Sequence, residues 1–187
     1  LETPEAPIAD LIRAIKPMVL IGITGQPGVF DETIVRTMGE INDRPVIFAL
    51  SNPNSKSEAV PQAVYEWTDG RALMATGSPF PDVNHGGKTV TIGQCNNAFI
   101  FPGVGLATKV CRPRMVTPEM FAAAAYALAD CIDGERLQQG TLFPAQNRPR
   151  EAPVTVATAA CVEAARLALS LAPPYPEWEP RIVEALW

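Results

Sequence analysis

Several absences narrow the reading of this sequence. No apolar run approaches the roughly 20 residues that a helix needs to span a bilayer, and no secretory leader is visible. No lysine- and arginine-rich stretch offers the basic face that nucleic acid demands, so neither a membrane nor nucleic acid is an expected partner. Cysteine is sparse. Cys95, Cys111, Cys131 and Cys161 are widely spread with no C-x-x-C pair, which removes zinc-ribbon and dithiol chemistry and leaves four small core residues in a reducing, cytoplasmic setting. The single histidine, His85, lies in Asn84-His85-Gly86-Gly87 and reads as an exposed hairpin residue. No set of carboxylates has metal-ligand spacing.

What is present is an ordinary globular composition. The 187 residues are 47 % hydrophobic with a formal charge of -5, enough for one domain with a real core. The chain begins at Leu1 rather than Met, which leads us to expect a piece of a longer protein.

The hydrophobic pattern alternates between strand and helix periods. Ile8, Leu11, Ile12 and Ile15 fall on one helical face that Pro17 ends. Met18 to Ile23 is a short apolar strand. Asp31 is a good N-cap for a helix to about Gly39, with Ile34, Val35 and Met38 inward. Pro45 to Leu50 is the next strand, Glu58 to Trp67 a helix, and Ala72 to Thr76 a third strand. This is a βαβ pattern, so the strands are expected to run parallel with right-handed crossovers. Thr89 to Ile92 reads as a short returning strand.

From Asn96 a helix is expected, broken or kinked at Pro102-Gly103 and resuming to about Val110. Thr117 with Pro118 is a strong helix start, running to about Ile132. Gly134 to Leu137 adds a turn, and Phe143 to Pro153 reads as a surface loop. Pro153 then opens an alanine-rich helix to about Leu171. The expected fold class is α/β: a partial Rossmann-like, mostly parallel sheet flanked by helices, with a helical C-terminal part. The expected division is one domain over residues 1–172 and a proline-rich tail with a short terminal helix over 173–187.

Three polar segments carry candidate chemistry. Gly22-Ile23-Thr24-Gly25-Gln26-Pro27-Gly28 lies between a strand and a helix, where glycines let a ligand approach the backbone. It is not a G-x-G-x-x-G fingerprint and no acidic residue follows at the usual distance, so a plain βα turn stays open. Ser51-Asn52-Pro53 follows a buried strand, at the end where open α/β sheets bind ligands; it is also ordinary turn chemistry. Asn96-Asn97 stands before an apolar run. Such amides can orient a carboxylate or a ribose without a counter-ion, and they can equally cap a helix. Lys56 and Glu58 read as a solvated loop lysine and a glutamate at a helix N-terminus, and Asp69 as a turn residue.

Together these stretches resemble the malic enzyme family. The resemblance rests on Leu20-Ile21-Gly22-Ile23-Thr24-Gly25, Phe48-Ala49-Leu50-Ser51-Asn52-Pro53, Ala75-Thr76-Gly77-Ser78-Pro79-Phe80, the stretch from Gly93 to Gly103, and Leu137 to Pro144. They stand in the family's order and at its spacing, from about Ile15 to about Pro176. Cys95, where many members have glycine, looks like a bacterial NAD-linked branch, and Pro81-Asp82 inverts the more usual Asp-Pro.

The resemblance implies an oxidoreductase that converts malate to pyruvate and carbon dioxide with NAD or NADP, NAD being favoured. It assigns Thr24, Gly25, Ser51 and Asn52 to the cofactor, and Asn52, Asn96 and Asn97 to the substrate. The amides would hydrogen-bond the malate carboxylate and C2 hydroxyl and so pre-orient C2–H towards the nicotinamide. The family's base, acid and Mg2+ or Mn2+ ligands lie upstream of these segments, so no catalytic or metal-ligating residue is assigned here and no independent catalysis is expected. The expected partners are malate, the dinucleotide, the remainder of the parent enzyme and further copies. A sheet cut before its first βαβ unit would expose an apolar edge through which the chain self-associates. A malolactic enzyme, which releases lactate, is the enzyme alternative, although Phe99 to Gly103 looks more like a malic enzyme. A non-catalytic nucleotide-binding or assembly module is the other.

Overall fold

A computed structural model of the chain describes residues 7–144, 151–173 and 177–186. It divides into two compact units. One comprises Leu1–Cys95 with Glu135–Phe143, the other Asn96–Gly134 with Pro144–Trp187.

The first unit is built on a parallel sheet. Helix α1 (Ile8–Ile15) precedes β1 (Val19–Gly22), α2 (Glu32–Ile41) leads to β2 (Val46–Ala49), and α3 (Pro61–Trp67) to β3 (Leu73–Thr76). A hairpin of β4 (Val83–His85) and β5 (Lys88–Val90) then delivers β6 (Gly93–Gln94) to the far side of β3. The order is β1-β2-β3-β6, and every neighbouring pair is parallel. The expected α/β class and parallel strands are therefore observed.

Asp31 caps α2 as its sequence position requires, its carboxylate accepting from the Ile34 N–H at 2.9 Å. One face of the sheet, with Ile47, Ala49 and Met74, packs against Ile12, Ile34, Val35, Met38, Val64 and Tyr65. On the other face Phe48 meets Phe143, their ring centroids 5.8 Å apart. Helix α6 (Gly134–Gln138) leads into that return segment, where the Thr141 hydroxyl donates to the Thr91 carbonyl at 2.9 Å.

The edge at β1 is open. Met18, Val19, Ile21 and Ile23 are exposed, Ile21 by 58 % and Ile23 by 78 %, and Ile8, Leu11 and Ile15 extend the apolar surface along α1. The expected apolar edge is thus present.

The second unit is helical. It holds α4 (Phe101–Cys111), α5 (Pro118–Asp130), α7 (Glu151–Arg166) and α8 (Glu179–Ala185). Small residues let these helices approach closely: Ala107, Ala157, Ala160 and Ala164 are buried with Leu106, Met120, Trp178 and Ile182. A Cβ on Gly103 would stand 2.5 Å from Val156 Cγ1, so α4 and α7 touch there only because that side chain is absent. All four cysteines are free thiols, Cys111 and Cys161 buried and Cys95 and Cys131 half-buried. Among the described residues no helix is long and apolar enough to cross a membrane.

Several local expectations are corrected. Pro102 does not break a helix. It sits in the first turn of α4, where its missing N–H costs no hydrogen bond, and the segment before it is a 3-10 turn over Asn97–Phe99. The strand expected over Thr89 to Ile92 stops at Val90, where β5 closes an antiparallel hairpin, and β6 starts only at Gly93. His85 ends β4 half-buried, over Gly70. Helix α3 starts at Pro61 rather than Glu58, and α7 stops at Arg166, after which Ala168 takes a left-handed φ of 55°. Of the expected surface loop and proline-rich tail, residues 145–150 and 174–176 lie outside the described residues.

Candidate functional site

Parallel strands end their carboxyl termini on one edge of the sheet, and the loops that leave that edge are where α/β sheets hold ligands. In the first unit β1 delivers Thr24 and Gly25 there, and β2 delivers Ser51 and Asn52. The residues between β1 and α2 form a glycine turn. Gly25 and Gly28 have φ of 68° and 72°, a left-handed conformation that side chains with a Cβ disfavour, and the space about both is open.

Glu58 holds these loops together. It is fully buried, with 0 % of its surface exposed. Its Oε1 accepts from the Thr24 N–H at 2.7 Å, from the Thr24 hydroxyl at 2.9 Å and from the Ser51 hydroxyl. Its Oε2 accepts from the Ser51 N–H at 3.2 Å. Ser51 Oγ in turn accepts from the Gly25 N–H at 2.8 Å. The main chain repeats the link, Gly28 N–H donating to the Ser57 carbonyl and Phe30 N–H to that of Glu58. Burial pushes the Glu58 carboxyl up. The hydrogen bonds from the Ser51 hydroxyl, the Thr24 N–H and the Glu58 and Ser51 N–H groups outweigh it and hold the group at about 2, so it is ionised at neutral pH.

The sequence reading of Glu58 as a glutamate at a helix N-terminus is therefore corrected, since α3 begins at Pro61. Its chain turns inward before α3 begins. The available signal was Gly22, since a Cβ there would lie 2.6 Å from Glu58 Cγ and 2.7 Å from Phe30 Cζ. Lys56 is exposed, as read.

Asn52 is exposed at the end of the β2 loop. Its Oδ1 accepts from the Ser78 hydroxyl at 2.5 Å, a bond that does not involve its amide NH2. The fit between this loop and the one after β3 is tight: a Cβ on Gly77 would stand 2.1 Å from the Leu50 carbonyl oxygen and 2.9 Å from Asn52 Oδ1. Gln94 Nε2 donates to the Gly77 carbonyl at 2.9 Å, tying β6 to the same corner.

Thr24, Gly25, Ser51 and Asn52 thus share one sheet edge. Asn96 and Asn97 open the second unit. Asn96 Oδ1 accepts from the Ala98 N–H at 2.8 Å and caps the 3-10 turn, and Asn97 is exposed on its first residue. The capping role left open by the sequence is real for Asn96, and its NH2 is not consumed by it. Among the described residues no three His, Cys, Asp or Glu side chains gather where they could hold a metal ion.

The family model described as "Malic enzyme, NAD binding domain" matches residues 2–165. The chain belongs to the malic enzyme family. An NAD-dependent malic enzyme of Acinetobacter baylyi is 48 % identical over 138 residues, 74 % of this chain and 24 % of that protein. One from Sodalis glossinidius is 43 % identical over 190 aligned positions, 97 % of this chain and 34 % of that protein. The chain therefore spans about a quarter to a third of the malic enzymes it matches.

Solved malic enzymes share the fold. That of Entamoeba histolytica superposes with a TM-score of 0.73 at 22 % identity, covering 91 % of this chain and 31 % of its own. That of Pyrococcus horikoshii gives 0.69 at 24 %, covering 90 % and 35 %.

Proposed function

We propose that this chain supplies part of the dinucleotide-binding domain of an enzyme that oxidises malate and releases pyruvate and carbon dioxide. The observation that carries the reading is the pair of loops after β1 and β2. They end neighbouring parallel strands, and Thr24, Gly25, Ser51 and Asn52 stand in them at the edge where ligands of α/β sheets bind. The open glycine turn fits a dinucleotide, because it presents backbone without a Cβ in the way. The names of the matched relatives favour NAD over NADP.

Bound there, NAD supplies the acceptor for the hydride that leaves C2 of malate. The chain's own part is orientation. To the Asn52 NH2 we assign a hydrogen bond to the nicotinamide carboxamide or to a substrate oxygen. Asn96 and Asn97 carry the substrate role, donating to the malate carboxylate or the C2 hydroxyl. Amide donors in fixed positions lower the barrier by removing orientational freedom before reaction. The Mg2+ or Mn2+ that decarboxylation uses, and the acid and base, are assigned to residues outside this chain, so the chain binds without turning malate over. We take residues 1–172 as one functional domain and the open β1 edge as the surface through which copies associate.

The reaction is tested on the full-length gene product supplied with malate, NAD and Mg2+. Pyruvate with stoichiometric NADH is expected. Lactate without net NADH would show a malolactic enzyme, and no turnover would favour the non-catalytic module.

A further inference from the structure

We propose that Glu58 is a positioning residue for the dinucleotide site, setting both cofactor loops through one buried carboxylate. The inference rests on the reading of the β1 and β2 loops as cofactor-binding.

Glu58 touches no ligand-facing surface, yet it binds the loop after β1 and the loop after β2 at once. Thr24 gives it two donors and Ser51 two more, and Ser51 passes the link on to Gly25. These are three of the four residues assigned to the cofactor, and the fourth, Asn52, follows Ser51 directly. A carboxylate is acceptor-only, so every donor that faces it must point inward. The hydrogen atoms of both hydroxyls are thereby fixed, and their lone pairs receive the N–H groups of Gln26 and Gly25. The turn closes into one conformation, and Asn52 is held at its end.

The site is also built to receive this one side chain. Gly22 carries no Cβ where the Glu58 side chain and the Phe30 ring pass. A neutral isostere cannot satisfy the same donors. In Glu58→Gln either the amide NH2 faces the Ser51 N–H, donor against donor, or it faces the three donors at Oε1. Ile47, Met74 and Val35 belong to the apolar core of this unit and form none of the hydrogen bonds that Glu58 accepts.

Two measurements on the 187-residue chain test the proposal. The first is amide hydrogen exchange in Glu58→Gln. Exchange at Thr24, Gly25 and Ser51 is expected to rise about tenfold or more, while the amides of β2 and β3 at Ile47 and Met74 stay protected. The second is calorimetric titration with NAD, where Glu58→Gln is expected to weaken binding about tenfold with the melting curve of the second unit unchanged. Should Glu58→Gln fail to fold, Ser51→Ala removes the bridge to Gly25 and one of the four donors to Glu58, leaving the Thr24 donors and the Ser51 N–H on the carboxylate, and is expected to release the Gly25 amide most.

Unchanged exchange at the three loop amides overturns the clamp. Faster exchange with unchanged NAD affinity overturns its positioning role. If the unmodified chain binds no NAD, the cofactor reading and the positioning role fall together, and the exchange data show whether the clamp exists apart from them.

Discussion

The tightest point of the candidate site gives the sharpest mutational prediction. Gly77→Ala adds one methyl group where the β3 loop crosses the β2 loop. That Cβ would lie 2.1 Å from the Leu50 carbonyl oxygen, 2.7 Å from its carbon and 2.9 Å from Asn52 Oδ1. Two of these atoms are backbone and cannot rotate away. The Leu50 segment is itself held, since Leu50 N–H donates to the Gly22 carbonyl at 2.9 Å and Gly77 N–H to that of Ala49 at 3.1 Å.

Relief therefore requires the loops to part by more than an ångström. Overpacking costs about 1–3 kcal/mol and sometimes more. The reduced freedom of the unfolded chain returns about 0.4–1 kcal/mol. We expect a net loss of about 2 kcal/mol, and displacement of Asn52 besides.

Gly105→Ala is the control. Gly105 lies inside α4 with nothing within 4 Å of an added Cβ, so the same chemical change should stabilise by about 0.5–1 kcal/mol. Urea unfolding followed by circular dichroism reads both as shifts of midpoint at constant slope. A loss below about 0.5 kcal/mol for Gly77→Ala, or any loss for Gly105→Ala, would refute the packing argument.

Three further outcomes are expected. Glu58 is held at about 2 against an ordinary 4.5, so its contribution to stability is complete above about 4.5 and is lost as pH falls through about 2. The stability advantage of the unmodified chain over Glu58→Gln should shrink across that window, and an advantage independent of pH would contradict it. Ile21→Lys, on the exposed edge strand, should reduce self-association in sedimentation velocity; a monomeric unmodified chain would contradict the association. Asp31→Ala should cost about 1 kcal/mol of stability by removing the cap of α2, measured in the same urea series.

Much of the fold was legible because its signals are local. Asp31 before an apolar helical face, and β-branched runs ended by glycine and proline turns, placed α2, β1 and β2 to within a residue or two. The asparagine and serine sites were legible as positions at strand ends. What escaped depends on contacts distant in sequence. Glu58 looks like a helix N-terminal glutamate in its own neighbourhood, because the Thr24 and Ser51 donors that justify its burial lie 34 and 7 residues away. Pro102 looked like a breaker because its place in the first turn of α4 depends on where the preceding 3-10 turn stops. The hairpin turn at His85 was legible, but its two strands were not, because at three residues each they carry no clear period.

The central claim is that the loops after β1 and β2 hold a dinucleotide, and calorimetric titration of the chain with NAD, with and without malate and Mg2+, tests it most directly. The account predicts saturable binding that Asn52→Ala weakens by about two- to tenfold, the value of one hydrogen bond. No binding, or binding that Asn52→Ala leaves unchanged, would contradict it.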